Sequence, residues 1–156
     1  MAKIAYGKLG LNKMTDKEAM IIHFNDLDIE VSQYLPIEKK LDLITDIINW
    51  SLDDNNYFNP CRIEIFNTVK IIEAYTNLTF TDKQKEDVFK LYDQLVASEF
   101  AKVIIEAIPK EEYDFIYSSV VKTIKNVYKY KNSAMGILEA ISTDYSNLNL
   151  DALNIQ

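Results

Sequence analysis

Two side chains, His23 and Cys61, are the only imidazole and the only thiol in the 156-residue chain. An imidazole has a pKa of about 6.5, which makes it the usual acid–base group. A thiol at the start of a helix can have a lowered pKa. His23, however, lies in a predicted strand with no nucleophile or carboxylate at a recognisable catalytic spacing. We therefore interpret His23 as a structural or surface residue and Cys61 as a small buried hydrophobe on an apolar helix.

The carboxylates are numerous but do not form a recognisable motif. Adjacent pairs at Asp53–Asp54, Glu86–Asp87 and Glu111–Glu112 fall at the ends of predicted helices, where solvation and capping explain them. Glu-x-x-His repeats of a dinuclear metal site are absent. The run from Asp53 lacks the glycine and the final acid of a calcium loop. We expect no catalytic, cofactor-binding or metal-binding residue.

The charge balance excludes a nucleic-acid footprint over the chain as a whole. Seventeen basic and 24 acidic residues give a net charge of −7 and a pI of about 4.7, opposite in sign to a phosphate-binding surface. One basic cluster is an exception, because Lys122, Lys125 and Lys129 share a face of a predicted helix. This face is either simply solvated or contacts an acidic partner, such as an acidic patch on another subunit.

Aromatic residues outside the predicted core are the best intrinsic candidates for partner binding. Tyrosine buries a large area while keeping a polar tip, which suits interfaces. The candidates lie in arms, in loops or at hairpin ends: Tyr6, Tyr34, Tyr57, Phe58 and Tyr145. The alternative interpretation is that they edge the core.

A short hairpin is predicted near the start of the chain. The runs from Met20 to Phe24 and from Asp28 to Leu35 alternate between apolar and polar residues, as strands with one buried face do. Asn25, Asp26 and Leu27 separate them and include good turn formers. Because an isolated hairpin is marginal in water, it must pack on helices or on another chain.

Helical periodicity dominates the rest of the chain. A first helix begins at Pro36. Its predicted core stripe is Ile37, Leu41, Ile44, Ile48 and Leu52, with Leu43 and Ile47 beside it, and Glu38, Lys39, Lys40, Asp42 and Asp46 cover the outside. A second helix starts at the Asn59 cap with Pro60 at its first position, and its apolar circumference predicts a central place in the fold. A third helix opens near Thr81, a fourth covers about 98–107, and one long or two shorter helices follow Pro109.

These elements predict a mainly α fold of four to six helices with a small N-terminal β-hairpin. We expect an N-terminal arm at 1–18, a single helical domain at 19–142 and a C-terminal tail at 143–156. No apolar run approaches the roughly 18 residues of a membrane span, and the start lacks the apolar region of a signal peptide. We therefore expect no membrane association.

Four segments resemble small acidic proteins encoded by tailed phages of Gram-positive bacteria. They are Gln33-Tyr-Leu-Pro-Ile-Glu-Lys-Lys40, the stretch 74–87, Glu106-Ala-Ile-Pro109 and the stretch 144–151. The resemblance extends from about Tyr6 to the C-terminus and implies a phage origin with no catalytic residues to carry over. The hairpin-then-helices plan is also similar in architecture to tail assembly chaperones. Relatives of this kind continue past the position of Gln156.

The leading hypothesis is a non-enzymatic phage structural or assembly protein without a cofactor. It would contact virion or assembly proteins, form a homo-oligomer and act in the host cytoplasm, with retention in the virion as a further possibility. The alternative is a phage-encoded inhibitor of a host defence or nucleic-acid-binding protein, which presents carboxylates in place of phosphates. This alternative requires the acidic residues to converge on one face.

Overall fold

The computed structural model describes residues 5, 17–53, 57–133 and 135–139, which form a β-hairpin followed by helices. The predicted mainly α fold with an N-terminal hairpin is confirmed. The elements are β1 (Met20–Phe24), β2 (Leu27–Val31), α1 (Ile37–Trp50), α2 (Pro60–Tyr75), α3 (Asp82–Glu86), α4 (Val88–Ala97), α5 (Phe100–Ala107) and α6 (Lys110–Lys131). Residues 135–139 are also helical.

The chain divides into two compact units, Met1–Val120 and Val121–Gln156. The division falls within α6. The predicted boundaries of an arm at 1–18, a domain at 19–142 and a tail at 143–156 remain predictions. Most of the arm and the whole tail lie outside the described residues.

The hairpin turns on two residues in the left-handed region of backbone space, Asn25 (φ 47°) and Asp26 (φ 63°). Asparagine and aspartate tolerate this conformation because their short polar side chains bond locally. The strands are antiparallel, with Phe24 opposite Leu27. The second strand is shorter than predicted, because it begins at Leu27 and ends at Val31.

Contacts with the end of α2 explain why the second strand stops and how the hairpin is held. The Ser32 amide donates to the carbonyl of Tyr75 at 2.7 Å, and the Asn77 amide donates to the carbonyl of Glu30 at 3.2 Å. On the hairpin's inner face the ring of Phe24 meets that of Phe100 edge-on, with centroids 4.8 Å apart. The hairpin is therefore packed on helices, as its marginal intrinsic stability requires.

Helix α2 is the centre of the first unit, as its apolar circumference predicted. The Asn59 side chain accepts from the amides of Cys61 and Arg62, and Pro60 occupies the first helical position. Helices α1, α4 and α5 all contact α2. Seven of its residues are buried, namely Phe66, Asn67, Thr68, Val69, Ile71, Ile72 and Tyr75.

Helix α1 is rotated relative to the predicted core stripe. Its buried residues are Lys40, Leu43, Ile44 and Ile47. Ile37 and Leu41, both assigned to the core by periodicity, are 53% and 55% exposed. The buried side lies about a quarter turn from the predicted stripe, which places Lys40 on the inside instead of the solvent side.

The predicted third helix is broken into α3 and α4 at Asp87, whose backbone leaves the helical region (φ −107°, ψ 57°). Thr81 and Gln84 form a reciprocal capping box at the start of α3. Helix α5 begins at Phe100, after Glu99 in the left-handed conformation (φ 60°). After Pro109, α6 runs unbroken to Lys131.

Within the described ranges, no helix is both long enough and apolar enough to cross a bilayer.

In the second unit the helical segment 135–139 packs closely against the end of α6. A Cβ atom added to Gly136 would overlap the carbonyl oxygen of Tyr130 and would lie 3.0 Å from the Cα of Lys131. Both obstacles are backbone atoms, which cannot move aside as a flexible side chain would. The Gly136 amide also donates to the Ser133 hydroxyl at 3.2 Å. The turn therefore requires glycine at position 136.

The substitution Gly136→Ala is expected to displace residues 135–139 from the end of α6. Overpacking of this kind costs about 1–3 kcal/mol. Hydrogen exchange followed by mass spectrometry should show faster exchange in 135–139 and unchanged exchange in α2. The control is Met135→Ala, since Met135 is 68% exposed. Equal exchange in both variants would contradict the requirement for glycine.

Candidate interaction surface

The most connected titratable cluster in the described chain is centred on Glu112 of α6. Its carboxylate accepts from Lys40 Nζ at 2.7 Å, from the Tyr75 hydroxyl at 3.0 Å and from the Leu35 amide at 3.1 Å. Lys40 and Glu112 are only 7% and 8% exposed. The Lys40 ammonium also lies 4.5 Å from the centroid of the Tyr34 ring. In this buried ion pair, both carboxylate oxygens of Glu112 thus accept hydrogen bonds.

The surroundings shift two pKa values in opposite directions. Burial alone would raise the pKa of the Glu112 carboxyl, but hydrogen bonds from Lys40, Leu35 and Tyr75, together with the Lys40 charge, hold it below its ordinary value. Burial, and then the charge of Glu112, raise the pKa of the Tyr75 hydroxyl far above its ordinary value. At neutral pH the Glu112 side chain is therefore a carboxylate and the Tyr75 side chain is a neutral phenol.

This cluster joins parts of the fold and does not form an open site. The side chains of Lys40, Tyr75 and Glu112 are all buried, at 7%, 0% and 8% exposure. The prediction that Lys40 covers the outside of its helix was wrong. So was the interpretation of Glu112 as a solvated residue at a helix start. Both errors have one cause. Lys40 and Glu112 are far apart in the sequence, so neither charge can be recognised as paired and buried from its local sequence alone.

Neither His23 nor Cys61 lies in a recognisable catalytic arrangement among the described residues. The His23 side chain is 79% exposed and pairs through Nδ1 with the carboxylate of Asp28 across the hairpin. Cys61 is exposed, so its interpretation as a buried hydrophobe was wrong. Its position in the first turn of α2, beside the Asn59 cap, points it out of the core. Among the described residues, no group of three or more His, Cys, Asp or Glu is arranged to hold a metal ion.

The predicted aromatic contact residues that lie in the described chain differ in exposure. Tyr57 is 63% exposed, while Tyr34 is half-buried against Lys40. Phe58 is buried at 9% exposure and forms a β-bridge with Leu52, which fits the alternative that it edges the core. Tyr6 and Tyr145 lie outside the described residues.

The predicted lysine face exists in the second unit. Lys122, Lys125 and Lys129 are exposed, while Ile124 on the opposite side of α6 is buried. Residues 121–131 contain four lysines and no acidic residue. In contrast, residues 17–120 contain ten basic and twenty acidic residues. Residues 121–131 are therefore positively charged, whereas residues 17–120 carry a net negative charge.

An apolar groove beside Trp50 is the feature that sequence reasoning missed. Trp50 ends α1 and is 51% exposed, with its ring 5.6 Å from that of Phe66. The groove is small, with a cavity volume of about 40 Å³. Its lining residues are Trp50, Phe66, Val69, Lys70, Glu73, Lys85 and Val88. The signal in the sequence was Trp50 itself, a tryptophan at the end of a helix that is followed by an apolar helix.

Charged side chains form the rim of this groove and hold one another in place. Glu73 accepts from Lys85 Nζ at 2.6 Å, which raises the pKa of the Lys85 ammonium. Lys70 Nζ lies 3.8 Å from Glu73, 3.6 Å from Asp46 and 5.8 Å from the centroid of the Trp50 ring. An apolar floor with a charged rim is the composition of a protein-binding patch.

Other large apolar side chains are exposed in both units. In the first unit they include Leu27 on the hairpin, Ile37 and Leu41 on α1, Phe89 and Val96 on α4, and Phe115 and Tyr117 on α6. Single exposed apolar residues are normal, but aromatic residues are enriched at interfaces.

No protein-family model, curated protein or solved structure matches this chain.

The substitution Glu112→Gln is expected to lower the free energy of unfolding by about 3–5 kcal/mol, because it leaves the Lys40 ammonium buried without its counter-charge. Chemical denaturation with a linear extrapolation measures the loss. Glu111→Gln is the matched control, since Glu111 is exposed on the preceding position of α6. Its effect should stay within about 0.5 kcal/mol. Equal small losses in both variants would show that the cluster is not a stabilising link.

The lowered pKa of Glu112 also predicts an acid dependence of stability. A carboxyl with a depressed folded-state pKa stabilises the fold above its unfolded pKa of about 4.3. This contribution is lost as the pH falls through the folded-state value. Unfolding free energies measured from pH 7 downwards should therefore fall more for the natural chain than for Glu112→Gln. Parallel curves for the two proteins would contradict the assignment.

Proposed function

We propose that this protein is a non-enzymatic phage structural or assembly protein that works through protein–protein contacts. Its role would be that of a tail, neck or other virion component, or of an assembly chaperone. The observation that supports a contact role is the groove beside Trp50, with a half-exposed tryptophan, an apolar floor and a charged rim. A tryptophan in such a setting is the kind of residue that dominates binding energy at interfaces.

The apolar lining of the groove favours contact with an apolar side chain of a partner. Phe66 and Val69 of α2 and Val88 of α4 supply apolar lining, and the ring of Trp50 forms one wall. Phe66 packs on this wall and Lys70 Nζ lies near its face, so the indole is held before a partner arrives. Such preorganisation lowers the entropy cost of binding.

The phage assignment is supported by the resemblance of four segments to small acidic proteins of tailed phages. If it is right, the protein acts in the host cytoplasm during infection, or is carried in the virion. Its partners would then be other virion or assembly proteins.

The distribution of acidic residues favours this proposal over inhibition of a host nucleic-acid-binding protein. A phosphate mimic needs its carboxylates on one face. In the described chain each of the helices α1 to α6 carries at least one acidic residue, and the hairpin carries Asp28 and Glu30. Several carboxylates are also engaged with lysines, as in the pairs of Glu112 with Lys40 and of Glu73 with Lys85.

The proposal is tested by binding of the purified protein to tail, neck and capsid components, together with mass spectrometry of virions. Trp50→Ala is expected to weaken any such binding by roughly 30-fold, as truncation of an interface hot spot does. Leu27→Ala is the matched control, since Leu27 is 62% exposed on the hairpin. It should bind as the natural chain does. Thermal melts ensure that Trp50→Ala is folded at the assay temperature.

Two results would overturn the proposal. The first is absence from virions together with no binding to any tail, neck or capsid component. The second is salt-sensitive binding to a basic host protein, which would support the inhibitor instead.

A further inference from the structure

Two exposed helix faces of this chain have opposite charge and matching spacing. On α1, Glu38 and Asp42 lie beside the exposed side chains of Ile37 and Leu41. We call these four residues the α1 face. On the second half of α6, Lys122, Lys125 and Lys129 are exposed on one side, and we call them the lysine face.

The charged groups on both faces are available to a partner. Within the described residues, neither Glu38 nor Asp42 forms an ion pair. The same holds, over the same part of the chain, for Lys122, Lys125 and Lys129. Other lysines, such as Lys70, Lys85 and Lys110, are paired with carboxylates. The charges on both faces are thus not engaged within the described chain, although the exposed Lys39 lies between Glu38 and Asp42 on α1.

The spacing of the charges matches between the faces. Glu38 and Asp42 are four residues apart, as are Lys125 and Lys129, so each pair is separated by about 6 Å along its helix axis. Two helices lying side by side can therefore form both ion pairs at once. Asp82 and Glu86 have the same spacing on α3, but α3 has no large apolar residue to accompany them.

We infer that the lysine face of α6 binds the α1 face of a second copy of this chain. The ion pairs select the partner and the register, while Ile37 and Leu41 are covered by the partner helix. Charge complementarity supports a second copy, because each chain carries both faces and the first unit is strongly acidic. This inference rests on the proposed assembly function, since it names the protein itself as one of the partners.

Because the two faces differ, the contact can be repeated from one copy to the next or made twice within a dimer. A repeated contact that closes gives a ring, and one that does not close gives a filament. Both arrangements use the same residue pairs, so one set of variants tests the contact.

The test uses analytical ultracentrifugation of the full chain over a range of concentrations. One variant carries Lys125→Glu and Lys129→Glu, and a second carries Glu38→Lys and Asp42→Lys. Each variant places like charges opposite one another, so self-association should weaken by at least ~10-fold. An equimolar mixture of the two variants should associate again, because the reversed faces are complementary to each other.

The matched control carries Lys83→Glu and Lys90→Glu, which change the net charge by the same amount at exposed positions on α3 and α4. It should associate as the natural chain does. Association of the natural chain should also weaken as salt is raised, because surface charges are screened. Circular dichroism of each variant checks that the fold is retained.

The inference is overturned if the natural chain is monomeric at every concentration, if the control variant weakens association as much, or if the mixture fails to restore it. Association that persists in both reversed variants would place the self-contact elsewhere. These readouts involve no phage component. Failure here therefore differs from failure of the proposed function, which is measured by binding to tail, neck and capsid proteins.

Discussion

The carboxylate of Glu112 is the interaction on which the arrangement of the first unit depends. It receives hydrogen bonds from α1 through Lys40, from the end of α2 through Tyr75 and from the chain entering α1 through the Leu35 amide. One side chain of α6 therefore ties three separate parts of the chain together. Two charges are costly to bury, and this cost is offset only because the carboxylate is fully hydrogen-bonded. Such a network tolerates little displacement of any of its members.

The same interaction determines what the surface presents. Because Lys40 points inward to Glu112, the neighbouring turn of α1 directs Ile37 and Leu41 outward. Glu38 and Asp42 lie beside them on the exposed side. The buried ion pair thus fixes the rotation of α1 about its axis, and this rotation determines which residues form the α1 face. At the other end of the helix, Trp50 is carried to the rim of an apolar groove.

Local chemistry made several elements predictable. Asparagine and aspartate at 25 and 26 suit a left-handed turn, Asn59 and Pro60 suit a helix start, and the apolar circumference of α2 suits a central helix. The rotation of α1 was not predictable in this way. Its apolar stripe and its buried side differ by about a quarter turn, and periodicity alone does not distinguish a core-facing stripe from one beside the core. The burial of Phe58 and the exposure of Cys61 were not predictable for a similar reason, since burial of a residue next to a helix start depends on neighbours distant in sequence.

The sequence by itself determined the helical class, the hairpin, most helix starts, the acidic character and the lysine face of α6. These follow from propensity, capping and periodicity, which act over a few residues. Only the tertiary structure decided that Lys40 and Glu112 are buried, that α1 exposes an apolar and acidic face, and that Trp50 borders a groove. The physical reason is separation along the chain. Lys40 and Glu112 are 72 residues apart, and a buried charge is tolerated only where packing brings its partner within hydrogen-bonding distance.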